Sequence, residues 1–231
     1  MPLTKVQSTT GITTANATSV TATYSGTPTS GNLLVAIASG DDTLTMNNSG
    51  WTAGPTVSNY NTLSLWWKIA GAGEPTAIKV NIGSSTGGSL WIGEYSGNVS
   101  SAALDKSSTG NPGSFTATCT SGTTATTTQA DELAIAGFGW GNYGGDIGTA
   151  SSYSNSFVQD AQAASTGSGN NIQHVAVATL ALAATGAETS TVTISTSVQR
   201  PLGLIATFKA SAARQSLVFR NRYQCNTQLR M

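Results

Sequence analysis

Residues 62–82 read TLSLWWKIAGAGEPTAIKVNI, two short apolar bursts (TLSLWWKIA and AIKVNI) broken by the turn-forming run Gly71-Ala72-Gly73-Glu74-Pro75-Thr76. Apolar bursts bounded by Gly, Pro and small polar residues are the pattern of an antiparallel sheet. The same alternation extends in both directions. SVTATY (19–24), NLLVAIAS (32–39), SLWIGEY (89–95), ELAIAGFGW (132–140), QHVAVATLAL (173–182), STVTIST (190–196) and LGLIATFKA (202–210) are separated by clusters such as SGTPTSG, SSTGGS, STGNPGS and STGSGNN. No long amphipathic helical pattern separates the strands, which excludes βαβ folds. The expected fold is an all-β antiparallel sandwich with a floor of nine strands.

At 231 residues the chain suits one sandwich domain, 1–209, followed by a short appendage, 210–231. Charged residues are 9% of the chain, against roughly 25% in ordinary soluble domains. Thr, Ser, Gly and Asn fill the gap, so hydroxyls and amides make the surface. Disorder is not expected, because Trp51, Trp66, Trp67, Trp91 and Trp140 sit in or beside apolar runs that can build a core.

The formal net charge is zero but unevenly placed. Residues 1–199 carry all ten acids and only Lys5, Lys68, Lys79 and Lys106, a net of −6; residues 200–231 carry six cations and no acid, a net of +6. Within the appendage Arg214, Arg220 and Arg222 surround the apolar group Leu217, Val218, Phe219 and Tyr223. Such a segment reads as a basic arm for an acidic or apolar protein partner, either as a short helix or as an added strand. Packing into its own domain is the alternative. Six dispersed cations form no dense basic run, so nucleic acid is not the expected partner.

Cys119 and Cys225 show no CxxC spacing, and two unpaired thiols are expected. The N-terminal MPLTKVQSTT lacks the pattern of an export signal, and no apolar run reaches membrane-span length. Three N-x-S/T tripeptides are the number chance supplies in so hydroxyl-rich a chain.

Chemistry is sparse. Glycoside hydrolysis uses two carboxyls about 5–9.5 Å apart. Around Glu94 the same-face positions are Leu90, Ile92, Ser96 and Asn98, none of them acidic. By alternation Leu90, Ile92 and Glu94 share one face and Trp91, Gly93 and Tyr95 the other, so Glu94 is expected to hold a loop by hydrogen bonds. Asp131-Glu132 reads as a polar start to a strand. Asp41-Asp42 sits in a turn without the alternating acids of a calcium loop, and no metal or other cofactor is expected. His174 has no G-x-S-x-G partner motif and reads as structural. No catalytic residue emerges.

The best binding candidate is the loop GWGNYGGDIG (139–148). Trp140 and Tyr143 offer flat apolar faces, and Asn142 and Asp146 offer hydrogen bonds, the chemistry of a sugar-stacking site. Trp51 and Tyr60 come from a second aromatic, Asn-rich loop. The competing reading is that Trp140 caps the core.

The succession GNLLVAIAS, SGW, LSLWWKIAGAGEPTAIKVNI, SLWIGEYSG, DELAIAGFGW and LGLIATFKAS, across roughly residues 30–210, resembles the jelly-roll sandwiches of tailed-bacteriophage virion proteins. That resemblance implies a concanavalin-like jelly roll and a non-enzymatic structural role, as a capsid decoration or cement protein or as a tail or fibre component. The implied partners are a capsid or other virion protein and further copies of the chain, on a particle assembled in the host cytoplasm. A carbohydrate-binding module or fibre adhesin that takes a host glycan is the alternative.

Overall fold

Turns at the glycine and asparagine clusters reverse the chain so often that every strand pairing described is antiparallel. The computed structural model describes residues 3–141, 148–166 and 172–211, and contains strands and no helix there. A first half runs β1 (Thr4–Ile12), β2 (Ala17–Thr23), β3 (Leu33–Gly40), β4 (Leu44–Met46), β5 (Thr52–Asn59), β6 (Asn61–Ile69), β7 (Ala77–Thr86) and β8 (Gly88–Ser96). The second runs β9 (Leu104–Gly110), β10 (Thr116–Thr123), β11 (Glu132–Gly141), β12 (Ala150–Tyr153), β13 (Val158–Ala164), β14 (Gln173–Ala181) and the long β15 (Thr189–Lys209).

The two halves have the same strand order. In the first, β1-β8-β3-β6-β5 form one sheet and β2-β7-β4 another. In the second, β15 serves both sheets. Up to Val198 it pairs with β10 and β12, taking the place of β7, and from Gln199 onward it pairs with β11 and β9, taking the place of β8. The larger sheet is then β9-β15-β11-β14-β13, strand for strand the order of the first half. Small details repeat with it. The Ala70 amide donates to the Asn32 carbonyl at 2.8 Å, as the Leu182 amide does to that of Glu132.

The result is four stacked layers of strands. The larger sheets face each other across a central core of Leu33, Val35, Ile37, Leu63, Leu65, Trp91 and Tyr95 against Leu133, Ile135, Val175, Val177, Leu204 and Phe208. Their outer faces are covered by the small sheets. Leu34, Ala36, Ala38, Leu90 and Ile92 pack on Val20, Ile78, Val80 and Ile82 of β2 and β7. Ala134, Ala136, Phe138, Ala176 and Ala178 pack on Cys119, Ala150, Val192 and Ile194. Strands of the larger sheets are therefore buried on both faces, which explains their unbroken apolar runs. β3, β8 and β11 have no exposed residue.

Polar contacts also join the halves. The Trp91 indole Nε1 donates to Asp160 Oδ2 at 2.8 Å, and the same carboxylate is ion-paired with Lys5. Contacts with the body continue through Ala210 and Ser211. Ala210 is bridged to Asn98, its carbonyl accepts from Gln129 Nε2 at 2.9 Å, and the Ser211 amide donates to Gly97 O at 2.7 Å.

Candidate functional site

Glu94 lies near the end of β8 on the outer face, with Leu90 and Ile92 as alternation requires, and is fully buried. Its carboxylate accepts from Gln7 Nε2 (2.6 Å), the Thr29 amide (2.8 Å) and Asn32 Nδ2 (2.6 Å). Burial alone would raise its pKa; these bonds outweigh it and hold the group below its ordinary value. The carboxylate thus ties β1 and the loop before β3 to β8, the structural task the sequence suggests.

The second half places its acid differently. Glu132, at the start of β11, stands where Asn32 stands before β3, and Thr207 of β15 stands where Glu94 does. Glu132 is fully buried, and neither oxygen receives a hydrogen bond of full geometry. Burial, offset a little by the nearby Thr207 hydroxyl and reinforced by the Asp105 carboxylate, pushes its pKa up to about 7. Asp105 moves the other way. Burial raises it, but the Thr128 hydroxyl and amide, both at 2.6 Å, with Glu132 and Lys106 beside it, bring it below the ordinary value. At neutral pH Glu132 is about half protonated, beside an ionised Asp105.

This gives a pH dependence with a definite sign. The folded state holds the Glu132 proton more tightly than the unfolded chain, where the group titrates near 4.5. Its contribution to stability is therefore complete below about pH 4.5, falls as pH rises to about 7, and is level above. At about 1.4 kcal/mol per pKa unit the loss is on the order of 3–4 kcal/mol. Glu132→Gln keeps the shape and can donate to Asp105. Thermal melts are expected to show it more stable than the native chain at about pH 8 and equal to it at about pH 4.

Trp140 is 1% exposed, with its indole stacked on His174 at 5.0 Å and its Nε1 donating to Gly148 O at 3.1 Å. It forms the wall of a recess of about 180 Å³ shared with Thr149, Gln162 and His174, and is not an open platform. Burial lowers the His174 pKa to about 4, so the imidazole is neutral. Asn142, Tyr143 and Asp146 lie outside the described residues, as do Cys225 and the arm residues Arg214, Leu217, Val218, Phe219, Arg220, Arg222 and Tyr223. Cys119 is free and buried in the outer core, with its thiol pushed up to about 12. Asp42 caps its own turn through the Thr43 amide at 2.6 Å. Among the described residues no group of three or more His, Cys, Asp or Glu could hold a metal ion, and no helix is long and apolar enough to cross a membrane.

The second aromatic loop separates into two roles. Trp51 is half-buried against the outer core of the first half, whereas Tyr60, at the apex of the β5–β6 hairpin, is 72% exposed. Over its ring, 3.9 Å from the centroid, lies the guanidinium of Arg200. Arg200 NH1 donates to Asn59 Oδ1 (3.2 Å), and Asn59 Nδ2 donates to Asn111 Oδ1 (3.1 Å), which also accepts the Gly113 amide (2.9 Å). Sequence reasoning counted Arg200 only as a cation of the basic C-terminal stretch; its place beside Tyr60 depends on the bend in β15. Comparison with protein-family models, curated proteins and solved structures finds no match to this chain.

Proposed function

We propose that the chain is a non-enzymatic structural protein of a tailed-bacteriophage particle, docked on the capsid as a decoration or cement protein. The observation that carries this reading is the winding of each half. A sheet in the order β1-β8-β3-β6-β5 lies on one in the order β2-β7-β4, and the same order recurs in the second half; this winding supports a jelly-roll reading of each half. It agrees with the resemblance carried by the apolar strands and the GEPT and EYSG turns. The acids support a scaffold as well. Glu94 ties a loop, Asp160 bridges the halves, and Glu74 is ion-paired with Lys68 at 2.7 Å.

Attachment is assigned to residues 212–231, which follow Ser211, the last described residue. Exposed ion pairs contribute about 0–1 kcal/mol each, so the arginines steer. Leu217, Val218, Phe219 and Tyr223 supply affinity, at roughly 1.5–3 kcal/mol for each side chain fully buried. A shortened chain ending at Ser211 is expected to keep its β-type circular dichroism and its melting temperature yet fail to bind particles lacking the protein. Equal binding by the shortened and full chains would remove the arm from this reading.

A second reading, a carbohydrate-binding module or fibre adhesin, is favoured by one observation, the exposed aromatic and guanidinium pair at Tyr60.

A further inference from the structure

Both partners of the Tyr60–Arg200 pair are held in backbone that favours glycine. Tyr60 has φ of 65° and Arg200 φ of 42°. A bulky residue in this region is an outlier that neighbouring structure must sustain, and such outliers gather at binding sites. At the corresponding passage between sheets the first half has Gly87-Gly88 between β7 and β8, whereas the second half uses Arg200 followed by Pro201. The structure thus holds an arginine in strained backbone at this passage, and stacks it on a tyrosine that is also strained.

The pair is firmly placed. The hydrogen-bonded series Arg200, Asn59, Asn111 and Gly113 links the β5–β6 hairpin, the β9–β10 turn and the bend of β15. One face of the Tyr60 ring meets the guanidinium while most of the residue remains open to solvent. No described carboxylate forms an ion pair with Arg200, whereas Asp160, Glu74 and Asp105 are each paired with a lysine. A half-buried guanidinium with no counter-charge among the described residues, fixed in orientation, is suited to a carboxylate, which it can bind through two parallel N–H bonds. An open aromatic face beside amide groups suits the apolar face and hydroxyls of a pyranose ring.

We propose that Tyr60, Arg200, Asn59 and Asn111 form a binding site for an acidic saccharide, a sugar ring bearing a carboxylate. The carboxylate of one sugar unit meets Arg200, the ring of a neighbouring unit lies on the open face of Tyr60, and the amide of Asn111 serves a hydroxyl. The site is independent of the arm and of particle docking.

The test is isothermal titration of the full chain at low salt with polygalacturonate, with neutral dextran and with poly-glutamate. Polygalacturonate is expected to bind and the other two are not. Arg200→Lys keeps the charge but loses the planar fork, and is expected to weaken binding roughly tenfold or more. Tyr60→Gly is expected to weaken binding by a similar factor while its melting temperature stays level or rises, because glycine relaxes the apex. Absence of binding by the native chain, unchanged binding in both variants, or equal binding of poly-glutamate would each overturn the proposal, the last by showing that charge alone is read.

Discussion

Trp91→Ala is expected to leave the protein at or beyond the edge of unfolding. Trp91 is fully buried in the core between the two larger sheets, where no rearrangement of one sheet alone can refill its volume. Truncation of a buried aromatic to alanine costs about 3–5 kcal/mol. It also removes the indole donor from Asp160, a carboxylate whose side chain is 2% exposed, at on the order of 1–3 kcal/mol for an acceptor left unsatisfied. Together these approach the whole stability of an ordinary domain, about 5–15 kcal/mol. Trp91→Phe separates the two effects, since it keeps most of the packing and loses only the donor. Urea denaturation should rank native above Trp91→Phe, and Trp91→Phe well above Trp91→Ala. Near-native stability of Trp91→Ala would show that the halves do not share one core.

The second large effect is expected at two glycines that occupy the same place in each half. A Cβ on Gly11 would stand 1.9 Å from the Thr21 carbonyl oxygen, and one on Gly110 would stand 1.9 Å from that of Thr120. In both cases the end of the first strand passes directly over the backbone of the second, and backbone cannot yield as a flexible side chain can. Gly11→Ala and Gly110→Ala are each expected to lose stability at or above the ~3 kcal/mol end of ordinary overpacking. Gly26→Ala, with no atom within 4 Å of its Cβ, is the control and should be close to neutral. Strong loss in both glycine variants would confirm that the two halves are built on one plan. Loss in only one would mean that the common strand order hides different packing.

The sequence made some of this legible and concealed the rest for physical reasons. β3, β6, β8, β11 and β14 stood out because their sheets are covered on both sides, so hydrophobicity runs unbroken along them. β1, β5, β9, β10, β12 and β13 lie at sheet edges or in the outer layers, are rich in Thr, Ser and Gln, and give little hydrophobic contrast. STVTIST and LGLIATFKA read as two strands and are one, β15, because Arg200-Pro201 turns the chain between sheets without breaking its pairing. The duplication left almost no trace in residue identity. Even the buried acid changed strands, from Glu94 on the eighth strand of one half to Glu132 on the third of the other.

Glu94 was readable, since alternation fixes its face and the lack of a same-face acid fixes its task. Trp140 was readable only as a choice between platform and core, and its stacking on His174 in the described structure places it in the wall of a recess. The Tyr60–Arg200 contact joins residues from opposite halves, and no local pattern reports it.

The most direct measurement is the copy number of this chain in purified, intact particles, read by quantitative mass spectrometry against the major shell subunit. A decoration or cement protein should be present in fixed ratio to that subunit. Its absence from the particles, or a stoichiometry of only a few copies each, would contradict a place on the shell.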